Sequence, residues 1–546
     1  MLCEDILLNI FRHFLAATLR IWPILAWVCR RWRQILFASP LGLNLRLYCT
    51  HGTPVLENLD IWPALPVTVE YGGVPNVDPP TPEEDDNVIA ALKQSDRVSS
   101  ISLTVTSSLF EKLSAISEPL YELEELVLLS QDNVQRTLPC TFLWGPRLRT
   151  LHSTRIAFPS LPSLLLPCQN LVDLQLHEIP SSGYFSPEAF ANFLSGTPQL
   201  RSLTLHILSF PRRQSYLVLP PPSGERTVLA ALTRLKYRGT SKYLDSFVGR
   251  IDAPRLGDID ISFFSQPTIN ASQLGQSIER IVMPTSFIEA DIQATSHTIS
   301  ISFKNSGTPT RLRLQISCKQ LDWQLSSMAQ VCDQFSPFLF RVQYLAFNTN
   351  DFSSEQDDVG DEQWLQLIRS FGGTRTLSIA GEFTTRILCA LQPVDEGHTS
   401  NTTVLPALRN LRVRKPGTLD WPFWNGAQTL VTSRGLSGHP TELWFECPYC
   451  DDSGFTPQGL KEHLVARHAY TIVCSYCDHF HVTLAYIHHF QEHLRSKHPE
   501  VVQNDALIWQ PPPTLTPLQF DTLVNRHSSL RELQVAQWYH RLRNPT

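Results

Sequence analysis

At 546 residues the chain is too long for one hydrophobic core, so several domains or one long repeat array are expected. Hydrophobic residues make up 42% and charged residues 18%, and no apolar run approaches membrane-spanning length. A formal charge of -6 argues against a globally basic nucleic-acid binder, leaving only a local patch open.

The first forty residues carry a helical pattern. Leu7, Ile10, Phe11 and Phe14 fall at i, i+3, i+4 and i+7, and a second apolar set follows at Leu25, Val28, Cys29, Trp32, Ile35 and Leu36. Pro23 fits the first turn of the second stretch, and Arg30, Arg31 and Arg33 belong mostly to its solvated side. Periodicity by itself is equally consistent with a small helical cap on whatever follows. Glu4 and Asp5 stand where a signal peptide carries positive charge, so an intracellular protein of the cytoplasm or nucleus is expected.

The segment from Leu2 to Pro40, with Ile6-Leu-Leu-Asn-Ile-Phe11 and Leu25-Ala-Trp-Val-Cys-Arg-Arg-Trp-Arg33, resembles an F-box. That resemblance implies three helices that dock on the adaptor of a Skp/cullin/F-box ubiquitin ligase. Leu7, Ile10, Phe11, Leu25, Val28 and Trp32 would be the docking residues. Leu2-Cys3 stands where the family opens with Leu-Pro.

Residues 43–95 read as a linker ending in the acidic, Pro-rich Val77-Asp-Pro-Pro-Thr-Pro-Glu-Glu-Asp-Asp86. From residue 96 the chain repeats. Val98-x-x-Ile101-x-Leu103 is followed by Leu123-x-x-Leu126-x-Leu128, Leu148-x-x-Leu151 and Leu171-x-x-Leu174-x-Leu176. Leu200-x-x-Leu203-x-Leu205, Leu232-x-x-Leu235-x-Tyr237 and Leu256-x-x-Ile259-x-Ile261 continue it. The period of roughly 23 to 32 residues suits leucine-rich repeats, each a short strand plus a helix-prone segment such as Pro187 to Leu194. One such unit cannot bury its own apolar face, so a stacked solenoid is predicted over 96–416. Regularity lapses between Phe263 and Arg341, where Thr298 to Phe303 and Arg311 to Ser317 look like strands without helical partners. It returns at Val342-x-x-Leu345-x-Phe347, Leu377-Ser-Ile379 and Leu408-x-x-Leu411-x-Val413, with the acidic Asp351 to Glu362 as a loop. Met1 to Pro416, with Arg250-Ile-Asp-Ala-Pro-Arg-Leu256 and Asp322-Trp-Gln-Leu-Ser-Ser-Met328, resembles fungal F-box proteins with irregular leucine-rich repeats.

Beyond a connector at 417–442, residues 443–500 carry the clearest chemistry. Cys447-Pro-Tyr-Cys450, His463 and His468 have C2H2 zinc-finger spacing, with Phe455 and Leu460 as a small core. Cys474-Ser-Tyr-Cys477, His493 and His498 repeat the pattern more loosely, with His488 and His489 as rival ligands and His489 with His493 as an alternative pair. Two sulfurs and two imidazoles per site suit zinc, and four protein ligands leave no open position for water. Two structural zinc ions are therefore expected, in two small ββα modules.

The positions that read bases in such fingers hold Thr456, Gly459 and Glu462 in the first, and Tyr486, His489 and Glu492 in the second. None is Arg, Asn or Gln, and four Lys or Arg face five Asp or Glu between Cys447 and His498. Ala469 to Val473 reads as a packed joint between the fingers. Residues 501–546 read as a Pro-containing linker and a helical tail. No Gly-rich phosphate loop, HExxH helix or G-x-S-x-G elbow points to catalysis.

The expected protein is an α/β chain: three-helix F-box at 1–42, leucine-rich-repeat-like solenoid of curved parallel sheet with helices, then two zinc fingers. Its expected role is non-catalytic, binding an adaptor and through it a cullin, and a protein target through the solenoid, the fingers or both. The alternative is a zinc-dependent nucleic-acid-binding or scaffolding protein with a degenerate F-box. No membrane association is expected.

Overall fold

The L-x-x-L-x-L signature works through register. In the computed structural model Ile101 lies beside Leu126, then Leu151, Leu174, Leu203, Leu235 and Ile259 on successive parallel strands, all at most 2% exposed. Two residues on, Leu103, Leu128, Ser153, Leu176, Leu205, Tyr237 and Ile261 form a second ladder on the same face. Alternation sends both ladders inward and the residues between them to the opposite face. The truncated third repeat is explained here: Ser153 occupies the inward position, 2% exposed and with its Oγ unpartnered.

The leading leucine of each signature is buried in a turn. Leu148 N–H donates to the Gly145 carbonyl, Leu171 to Cys168, Leu200 to Thr197, and Leu232 to Leu229. A bond between neighbouring turns then sets the stacking: Arg149 donates to Glu124, Val172 to Arg149, Arg201 to Val172, and Thr233 to Arg201. The backbone groups just before each strand are thus satisfied by the preceding repeat.

The structure describes residues 4–17, 22–38, 45–62, 64–72, 82–116, 118–130, 136–137, 145–157, 168–207, 226–264, 266, 268–282, 287–305, 311–318, 320–349, 361–381, 384–392, 404–416, 421–447, 452–456, 459–460, 462–463, 471–473 and 481–483. They divide into two units.

The first unit begins with helices α1 (Glu4–Ala17), α2 (Trp22–Val28) and α3 (Arg30–Ala38). Its parallel sheet runs β1 (Leu45–Tyr48), β2 (Val67–Tyr71), β3 (Val98–Val105), β4 (Glu125–Ser130), β5 (Thr150–Thr154), β6 (Asp173–Ile179), β7 (Ser202–Ile207), β8 (Arg234–Gly239) and β9 (Asp258–Phe264), each beside the next. Connecting helices are α4 (Val55–Ile61), α5 (Pro82–Leu92), α6 (Ser107–Ser114), α7 (Pro187–Leu194), α8 (Ser241–Val248) and α9 (Ser272–Val282). Caps set where several of them start. Thr106 accepts from Leu109 N–H and Ser186 from Ala189 N–H, with Pro187 in the first turn.

The linker reading of 43–95 is corrected: β1, α4, β2 and α5 are repeats already. Their strands turn Leu45 and Leu47, or Val67, Val69 and Tyr71, inward, but Gly42 stands where a leucine would precede Leu45 and the second strand has no leucine, so the signature does not show. The acidic run forms the first turn of α5, where carboxylates meet the positive end of the helix dipole. Asp85 is buried and accepts from the Tyr71 hydroxyl, while Asp86 pairs with Lys112.

Asp245 of α8 caps α9 from outside, its Oδ1 accepting from Gln273 N–H at 2.7 Å and Leu274 N–H at 3.1 Å. Burial raises its pKa against the pull of those two donors. Asp245→Ala is expected to cost about 2 kcal/mol in denaturant unfolding, whereas Asp245→Asn, which keeps an acceptor, should cost less than half of that.

The second unit opens with an antiparallel meander, β10 (Glu289–Ala294), β11 (Thr298–Lys304) and β12 (Arg311–Ser317). This is the region where the repeat pattern lapses, and its two helix-less strands are present as expected. Repeats resume on the other edge of β10 with β13 (Tyr344–Thr349), β14 (Thr376–Gly381), β15 (Asn410–Pro416) and β16 (Glu442–Glu446), all parallel. Helices α10 (Leu321–Gln334), α11 (Ser336–Leu339), α12 (Asp361–Arg369), α13 (Thr384–Ala390) and α14 (Trp421–Leu436) intervene. Phe287, Phe303, Phe335 and Phe338 cluster beneath the meander, and Trp364 is fully buried against Phe347. Before β14 a Cβ on Gly373 would lie 1.8 Å from the Phe340 carbonyl oxygen, so only glycine fits that close approach.

The connector at 417–442 is also corrected, since α14 and β16 complete one more repeat. Pro422 and Gly426 inside α14 hide the helix from a propensity reading. Of the expected acidic loop, Asp361 and Glu362 start α12, and residues 351–360 lie outside the described residues.

Candidate functional site

The third of the N-terminal helices packs against the first and the second. Leu7 and Phe11 are buried with Leu25, Ala26, Ile35 and Leu36. Phe11 meets Trp32 edge-on with ring centroids 4.9 Å apart, and the Arg33 side chain donates to the Ala26 carbonyl at 3.0 Å. Of the six residues expected to dock an adaptor, Leu7, Phe11 and Leu25 are therefore interior and Trp32 is half-buried. Only Ile10 and Val28 point outward, at 42% and 55% exposure. They are joined by Ile6, Ile24 and Trp27, the last 75% exposed, which the sequence reading missed. The helical stripe selects residues that fold the helices together; apolar residues off the stripe are the ones left outside.

At the other end, β16 leads directly into an antiparallel hairpin with β17 (Ser453–Phe455). Phe445 pairs with Phe455 and Glu446 with Ser453. Cys447 follows, fully buried, its N–H donating to the Asp452 carbonyl at 2.9 Å. Thr456 then opens a helical turn: its carbonyl accepts from Leu460 N–H at 2.9 Å and its Oγ1 from Gly459 N–H at 3.1 Å. Leu460 is fully buried. The turn carries His463 to within 4.4 Å of the Phe455 ring, with its Nδ1 3.9 Å from an Asp452 carboxylate oxygen.

Cys447 after the first strand and the largely buried His463 on the following turn stand in the chain order of the expected Cys2His2 set. The expected ligands Cys450, His468, Cys474, Cys477, His493 and His498, and the rivals His488 and His489, lie outside the described residues. Of the second module, Thr471–Val473 pairs antiparallel with His481–Thr483. The expected joint thus lies partly in a strand of that hairpin. At the first base-reading position the Thr456 hydroxyl oxygen accepts from the Gly459 N–H as a helix cap.

No described helix is long and apolar enough to cross a membrane. No protein-family model matches this chain, and no curated protein does. Among solved structures, it is similar to the leucine-rich repeat-containing protein LegL7 from Legionella pneumophila, at 12% identity over 71% of this chain and 97% of that one, with a TM-score of 0.25. A leucine-rich-repeat protein of Leptospira interrogans aligns at 11% identity over 69% and 89%, with a TM-score of 0.21. At those scores the leucine-rich-repeat-like architecture rests on the strand ladders and stacked turns of the chain itself.

Proposed function

We propose that this chain is a non-catalytic substrate receptor of a Skp/cullin/F-box ubiquitin ligase. The N-terminal helices dock the adaptor, and the repeat sheet, the zinc modules or both hold a protein target. The observation that carries this reading is the N-terminal helical unit, which has its own small core and still turns Ile6, Ile10, Ile24, Trp27 and Val28 to solvent. A helical cap would bury its apolar residues on the repeats; large apolar side chains left outside mark a surface that another protein covers. A repeat array supplies the long continuous face on which such a receptor holds its target. Two zinc ions stabilise the C-terminal modules and take no part in chemistry.

The test is purification of the intact protein from its own cells, beside an Ile10→Asp, Val28→Asp double variant. Both positions are exposed, so the variant should melt within a few degrees of wild type. A substitution at Leu25 would be uninformative because it would break the small core. The adaptor is expected with wild type and absent from the variant. Loss of the adaptor from both, under conditions that retain other ligase complexes, would favour a scaffold whose Leu2-Cys3 opening no longer docks.

A further inference from the structure

On the outward face of the first sheet, one corner holds polar groups that the fold alone does not explain. His206 on β7 is only 8% exposed, and its Nε2 has no partner among the described residues. Its neighbours on that face come from three strands. His177 of β6 stands edge-on with ring centroids 6.5 Å apart, Phe264 of β9 lies 6.2 Å away, and Arg238 of β8 is the residue in register beside it. The Arg238 guanidinium rests 5.6 Å over the Phe264 ring and has no carboxylate partner among the described residues; nor has Lys236, two positions earlier.

Most of the other polar groups nearby have partners, although Asp173 Oδ1 is buried with none among the described residues. Asp173 Oδ2 faces His152 Nε2 at 3.3 Å and accepts from Gln175 at 2.9 Å, and Gln175 Oε1 lies 3.4 Å from His177 Nε2. Glu178 pairs with Arg155, which holds its carboxyl below the usual range. Those two residues take left-handed backbone, φ 52° in β6 and 61° just after β5, at about 1–2 kcal/mol each. Strain, an orphaned ring nitrogen and an unpaired guanidinium thus gather at one place. Such a gathering marks a functional position more often than a purely structural one.

We propose that this corner is a subsite for an acidic side chain of a bound protein segment, whose carboxylate accepts from Arg238 and from the Nε2–H of His206. The assignment deepens the receptor reading and rests on it for the identity of the occupant as a protein target. Charge decides the class of ligand: Arg238 and Lys236 are the cations left over on this corner, while Glu178 is engaged by Arg155 and Asp173, through Oδ2, by His152 and Gln175. Arg238 is exposed and rests on the Phe264 ring face, with the Glu178 charge also nearby, so its guanidinium is free to turn towards a ligand. The flanking Phe264 then closes the apolar side of the ligand.

A proton link follows. Burial, then Arg238, pushes His206 down to about 4; His177 acts in the same direction and Glu178 opposes it. The free imidazole is therefore neutral at pH 7. A carboxylate beside it favours the charged form and raises its pKa in the complex, so binding takes up a proton and strengthens as pH falls from 7.5 towards 5.

The experiment uses the full-length protein and a fluorescein-labelled peptide of repeating Gly-Ser-Glu, with its Gly-Ser-Gln counterpart, by fluorescence anisotropy at low salt. The Glu peptide is expected to bind, more tightly at pH 5.5 than at pH 7.5, and the Gln peptide to bind at least about tenfold more weakly. Arg238→Gln should lower affinity about tenfold with an unchanged melting temperature. His206→Phe should remove the rise at low pH. Equal binding of the two peptides, or an Arg238→Gln variant that binds like wild type, overturns the subsite. If His206→Phe does not fold, Arg238→Gln decides alone. Adaptor co-purification measured on Arg238→Gln separates the two ideas. Specific Glu-peptide binding without any adaptor sinks the receptor reading and keeps the subsite, whereas adaptor binding with no peptide discrimination does the reverse.

Discussion

Replacing Cys447 with serine is expected to lower the zinc content by one ion per chain and to open the sheet end from Glu442 to His463. Structural zinc in small finger modules binds with about 10–16 kcal/mol of apparent free energy, which is also most of their folding free energy. Here the module is not a bead on a string. β16 pairs in parallel with β15 on one edge and begins the Cys447 hairpin with β17 on the other. A three-residue strand such as β17 has no independent stability, so metal loss exposes the outer edge of β16 as well. Hydrogen exchange should show 442–463 deprotected in Cys447→Ser and in chelator-treated wild type. The matching change Cys474→Ser should also lose one zinc but leave 442–463 protected. Plasma emission spectrometry that finds no zinc in protein purified without chelators, or full zinc in Cys447→Ser, would refute the metal assignment.

The second large effect is expected one repeat earlier, at Arg434 of α14. Its side chain is 3% exposed, and burial lowers its pKa. No carboxylate pairs with it among the described residues. Instead the guanidinium fork donates to the Thr441 hydroxyl at 2.8 Å, the Val404 carbonyl at 2.9 Å and the Leu405 carbonyl at 2.9 Å. Leu405 is held in left-handed backbone at φ 53°, in the turn that places Leu408 ahead of β15. One side chain therefore ties the last helix to the turn before β15 and to the turn before β16. Arg434→Met keeps the apolar stem and strands those acceptors without donors. At about 1–3 kcal/mol per buried unsatisfied group, the loss should reach about 3–5 kcal/mol in denaturant unfolding. Arg434→Lys should recover less than half, because a single ammonium cannot meet three divergent acceptors. A loss under about 1 kcal/mol for Arg434→Met would show that water replaces the fork.

The sheet was legible where the repeat phrase was complete. Leu126, Leu174, Leu203 and Leu235 stand in one ladder because a period-2 strand with two inward leucines has only one face to bury. It was illegible at both ends. In β1 and β2 the leucines of the phrase are missing, with Gly42 ahead of Leu45 and no leucine in β2, and around β16 an indifferent helix precedes it. In each case stacking on a neighbour supplies what the local pattern lacks. The expected zinc ligands are a reading of residue types at fixed spacing, which coordination chemistry demands.

The amino-acid sequence by itself determined the repeat period, the inward residues of most strands and the helix-less interval at the meander. All of these are encoded within some thirty consecutive residues. Only the tertiary structure decided that Leu7, Phe11 and Leu25 are buried while Ile24 and Trp27 face solvent, that β16 joins its repeat to the Cys447 hairpin, and that His206, Arg238 and Phe264 share a corner. The physical reason is common to the three. Each depends on which surfaces meet after parallel strands stack or helices pack, and residues on neighbouring repeats are brought together by long-range burial that no local periodicity records.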